Sequence, residues 1–143
     1  MRSVSTWATH APITKADADE GRVYGIASQS LHADGSPVVD HDDEWIPPDE
    51  LRAAAYRYVA ASRKGQTMHT PGQTGELIDS LFVTPESLGA LLKAFGVSAD
   101  LSGFKGVGWW TGYQITDPSS RAAARSGTYA AFSIGGTATR EDA

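Results

Sequence analysis

The chain has 143 residues, 41% of them apolar and 20% charged, with a formal net charge of −5 and no cysteine. This length and balance fit a single domain around one core; the acidic charge does not favour nucleic acid, whose phosphates want a basic face, and the absence of thiols excludes disulfides, thiolate metal sites and a cysteine nucleophile. No apolar run approaches the roughly 20 residues of a membrane span and the N-terminus lacks a signal-peptide core, so neither a membrane nor export is expected, and the simplest home is a cytoplasm.

Residues 1–20 are polar and mixed, with Asp17, Asp19 and Glu20 at their end, and read as an N-terminal arm or a short first strand. Arg22 to Ser30 has the β-branched and aromatic content of a strand, and Asp34-Gly35 is a turn signal. Asp40, His41, Asp42, Asp43 and Glu44 then stand together. Loop oxygens of this kind suit calcium or magnesium, but the run lacks the glycine and distal glutamate of a calcium loop. It reads as a solvated acidic loop, and no metal or other cofactor is expected.

Pro47-Pro48-Asp49 opens a helix, since proline suits the first turn and acids favour its positive end. Leu51, Ala54, Ala55, Tyr58 and Val59 form one apolar face, and Lys64-Gly65 is a stop signal. Pro71-Gly72 marks a turn between a short arm, residues 66–70, and a strand from Glu76 to Val83. Strict alternation along that strand puts Leu77, Asp79, Leu81 and Val83 on one face and Ile78, Ser80 and Phe82 on the other. Asp79 among apolar neighbours needs a partner or a place at a sheet rim.

Thr84-Pro85-Glu86 starts a second helix with cap, first-turn proline and acid. Leu88, Leu91, Leu92 and Phe95 repeat at helical spacing and read as core, and Gly96 ends the element. Val107 to Thr116 is a strand with aromatics on both faces, so both should be covered. A third helix is predicted from Asp117-Pro118 to Gly127, followed by an apolar strand containing Ser133, with Gly135-Gly136 as a turn and a polar, frayed tail over residues 137–143. The fold class is α+β: a small antiparallel sheet or barrel with about three peripheral helices in one domain, 1–143.

Ser133 stands beside two glycines, where a hydroxyl can lie near free backbone N–H groups, as acyl transfer requires. His10 and His32 have polar, loop-like surroundings and read as idle, and His41 belongs to the acidic loop. His69 is the histidine at a strand end with a carboxylate strand folding back beside it. An imidazole can take a serine proton, and a carboxylate on its other nitrogen fixes the tautomer. Ser133, His69 and Asp79 supply those three groups.

Three blocks then carry a resemblance. The first is Arg22 to Ala27 with the Val39-Asp40 region and the helix Asp49 to Tyr58. The second is Met68-His69 followed by Gly75, Glu76, Leu77, Ile78, Asp79 and Ser80. The third is Gly108 to Asp117 followed by Arg125 to Gly136, containing Phe132-Ser133-Ile134-Gly135-Gly136. In this order they resemble the phage prohead, or head-maturation, serine proteases of the XkdF type. The resemblance implies a herpesvirus-protease-like barrel with peripheral helices. It implies an endopeptidase, using Ser133 as nucleophile and His69 as base, that trims phage scaffold and major capsid proteins and itself inside an immature procapsid in the host cytoplasm. A homo-oligomer stays open. The N–H groups of Gly135 and Gly136 are candidates for the oxyanion hole.

The herpesvirus relatives have a second histidine well after the serine; here ten residues follow Ser133 and none is histidine. Asp79, Glu76 or Glu141 then takes that role, or the site is a dyad. The early end also suggests a self-trimmed form lacking a closing strand. Two competing readings are a non-catalytic capsid-assembly or scaffold-binding domain and a metal site at Asp40, Asp42 and Asp43.

Overall fold

The computed structural model describes residues 2–17, 19–61, 64–65, 75–119, 122 and 131–141, with 2–12, 64–65 and 131–141 described by their backbone. In chain order these form β1 (Arg2–Pro12), β2 (Lys15–Asp17), β3 (Arg22–Leu31), α1 (Pro48–Ala61), β4 (Lys64–Gly65), β5 (Gly75–Val83), α2 (Pro85–Ala94), β6 (Val107–Ile115) and β7 (Ala131–Glu141). Of the expected third helix, Pro118, Ser119 and Ala122 are helical; the rest lies outside the described residues.

The fold is α+β, with an antiparallel sheet in the order β2-β3-β6-β5-β4 and a separate ribbon of β1 and β7. Among the described residues the sheet is open, which corrects the expectation of a closed barrel. Its edges explain this: β2 and β4 have three and two residues, too short to hydrogen-bond around a closure. The strands nearest the two ends of the chain pair with each other instead. The expected frayed tail is therefore strand to Glu141, because β1 supplies a partner for every residue from Ala131 to Glu141. A strand pairs with β5 as a hairpin would require, and its described part is Lys64–Gly65; the predicted arm at 66–70 lies outside the described residues, and Lys64, expected near the end of the helix, belongs to β4.

The core lies between one face of the sheet and α1. Leu51 and Ala55 of the helix are each 1% exposed and meet Val23, Trp109, Tyr113 and Ile115, all buried. Tyr58 sets its ring edge-on to Trp109, with centroids 5.3 Å apart. The approach to α1 is pinned to β3: Ser30 Oγ donates to the Ile46 carbonyl at 2.6 Å, and Trp45 Nε1 donates to the Ser30 carbonyl at 2.9 Å. Each bond satisfies a polar group near the core that would otherwise lose its water.

A register shift at Ile78 breaks the alternation expected for β5. Leu77 opposes Tyr113, Ser80 opposes Thr111 and Phe82 opposes Trp109, so these face the core; Asp79 opposes Gly112 and Leu81 opposes Trp110 on the other side. A bulge of this kind places two residues against one and resets which side chains face inward. It moves Leu77 away from Asp79's face, where strict alternation had put it. Trp109 Nε1 then donates to Ser80 Oγ at 2.9 Å.

α2 departs from its predicted role. It begins as the sequence implies: Ser87 N–H donates to Thr84 Oγ1 at 3.1 Å and Thr84 N–H donates to Ser87 Oγ at 2.8 Å. None of its residues is buried, however, and Leu91 and Phe95 are 40% and 78% exposed. The leucines and phenylalanine are not core, because α2 lies mainly against β5 while α1 covers the central strands β3, β6 and β5.

Candidate functional site

Ser133 is the third residue of β7, two rungs from the end of the ribbon at Ala131–Pro12, with the rest of the strand following it. Its strand runs unbroken through Gly135 and Gly136, opposite Ala8 and Trp7, so the glycine pair is not the turn that the sequence suggested. This changes what those glycines can offer. Successive residues of an antiparallel strand aim their N–H groups alternately toward the partner strand and away from it. One of the two amides is therefore directed to β1, and the pair cannot supply two free oxyanion donors together.

β7 approaches both β3 and β4, with Cα atoms within 8 Å. His69 follows β4 by four residues and itself lies outside the described residues. Of the three acids open for the orienting role, Glu141 is excluded by distance. It is eight residues along the same strand from Ser133, or about 26 Å at the usual rise per residue. Asp79, expected either to be paired or to lie at a sheet rim, is solvent-exposed, so its carboxylate keeps contact with water. Glu76, also exposed, opposes Lys64 of β4 and is thus the acid at the edge that approaches β7.

His10 is the residue whose setting the sequence misjudged. It lies within strand β1, not in a loop, and its register partner is Ser133. The signal was available in Arg2 to Ala11, where Val4, Thr6, Ala8 and His10 alternate with Ser3, Ser5, Trp7 and Thr9, but the polar serines and threonines masked a strand pattern. His32 and His41 are exposed, as expected.

The acidic loop is a set of turns. Asp40 Oδ1 accepts from the N–H groups of Asp42 at 2.8 Å and Glu44 at 2.9 Å, so its carboxylate closes its own loop. Among the described residues no three His, Asp or Glu side chains converge on a metal position. Asp34 also closes a turn of its own: the Ser36 hydroxyl and then the Ser36 N–H hold its carboxyl below the ordinary carboxylate range. A shallow apolar depression lined by Ile26, Ala33, Val83, Phe104 and Val107 includes none of the three predicted site residues. No protein-family model, curated protein or solved structure matches the chain.

Proposed function

We propose that the chain is a serine endopeptidase of the phage prohead type, with Ser133 as nucleophile. The observation that carries this reading is the block Phe132-Ser133-Ile134-Gly135-Gly136 in a strand beside β4, from which His69 follows by four residues. The Ser133 oxygen attacks the peptide carbonyl carbon as a histidine takes the hydroxyl proton. The same imidazole returns that proton to the leaving amine as the C–N bond breaks, and water then hydrolyses the acyl-enzyme. His69 is the base that the resemblance implies, oriented by Asp79 or Glu76 or acting in a dyad. The substrates would be scaffold and major capsid proteins and the chain itself, within a procapsid. The herpesvirus-protease-like kinship of the sheet belongs to the same proposal.

A fluorophosphonate probe tests it, because such a probe phosphonylates an activated serine and leaves ordinary ones untouched. Stoichiometric labelling of the folded protein, abolished in Ser133→Ala, is the expected result. A well-folded protein that takes no label ends the peptidase reading. A non-catalytic scaffold-binding domain is the second reading, favoured by the apolar exposure of Leu91, Phe95 and Val97 around α2.

A further inference from the structure

We infer that His10 is the general base for Ser133, an inference that rests on the serine-nucleophile reading above. The two residues are direct register partners in the β1–β7 ribbon. Directly opposed positions in an antiparallel pair share one face, with Cβ atoms about 4.5–5.5 Å apart. Among the described residues the other histidines, His32 and His41, are in exposed loops and have no such placement; His69 lies outside the described residues.

The register supplies a second, independent argument. Positions two apart along a strand share a face. The rungs flanking His10–Ser133 on its face are therefore Ala8–Gly135 and Pro12–Ala131. None of these four residues has a long side chain. The intervening rungs are Thr9–Ile134 and Ala11–Phe132. The register thus places the serine and the histidine on one rung, with short residues at the rungs two away on either side. The proton balance is complete: His10 receives the Ser133 proton as the O–C bond forms and delivers it to the departing amine, and water is the only further reactant.

The test is the rate of fluorophosphonate labelling of the full chain, with folding followed by circular dichroism. His10→Ala and His10→Gln should each lose at least about a hundred-fold in rate, the low end for removing a general base, while keeping the native spectrum. Added imidazole should restore labelling of His10→Ala, a recovery that a merely structural role for His10 would not give. Undiminished labelling of either variant, or loss without imidazole recovery, overturns the inference. A comparable loss in His69→Ala with the His10 variants unaffected assigns the base to His69 and leaves Ser133 as nucleophile. Absence of label in the folded wild-type chain defeats the nucleophile reading and this inference with it.

Discussion

Gly112 shows how one missing side chain organises a surface. A Cβ placed there would come within 2.7 Å of the Tyr24 ring and 3.1 Å of Asp79 Cβ. Tyr24 in turn stacks on Trp110, with ring centroids 6.4 Å apart, and carries the Lys15 ammonium 4.9 Å from its own centroid. Gly112→Ala should push Tyr24 off its neighbours and cost about 1–3 kcal/mol in urea unfolding, the usual range for overpacking. Gly103→Ala is the control: nothing lies within 4 Å of its added Cβ, and its stability should stay within about 0.5 kcal/mol of wild type. In the sequence Gly112 is only a face-mate of Trp110 and Gln114. Its crowding comes from β3, a strand eighty-odd positions earlier, which no local pattern encodes.

The two helices separate what local sequence specifies from what it leaves to tertiary packing. Both start at their prolines, and the apolar stripe of α1 faces the sheet as its periodicity implies. The stripe of α2 is just as regular, yet Phe95 is largely in water, because periodicity names a face without naming what covers it. Thr84→Ala should therefore destabilise α2 by about 1 kcal/mol through loss of its cap, whereas Phe95→Ser should change stability by less than about 0.5 kcal/mol. Leu51→Ala, at the centre of the α1 contact, should cost about 2–5 kcal/mol. Chemical denaturation of the three variants ranks them directly. The bulge at Ile78 was equally illegible: β5 reads as a clean alternation, and the slip is visible only against β6.

At the scale of the whole molecule, the α+β class and the antiparallel pairing were legible from turn signals and apolar runs. The ribbon was not, since Ser3, Ser5, Thr6 and Thr9 disguise β1 as a polar arm, and its partner is at the far end of the chain. The candidate site suffered most from this: Ser133 could be picked out from its glycines, but the residue across from it could not. Closer to the core, burial raises the Tyr58 hydroxyl above the ordinary tyrosine range, opposed by its bond to the Tyr113 hydroxyl at 3.4 Å. Because the folded value lies above the unfolded one, the associated stability is fully present below about pH 10 and is lost as pH rises through the folded value. Thermal stability should thus fall at alkaline pH, and Tyr58→Phe should remove part of that loss.

The ribbon also fixes an order of events during synthesis. Residues 2–12 leave the ribosome before the rest of the sheet, yet their partners at 131–141 must be made before a single rung can close. Until then the helix and sheet core can condense, while β1 waits with its backbone hydrogen bonds unmet, and closing so wide a loop carries the highest entropic cost of any contact in the chain. If Ser133 is the nucleophile, a chain made only as far as β6 cannot cut its neighbours: the serine is added after it, and the strand that carries it docks onto β1 only once made.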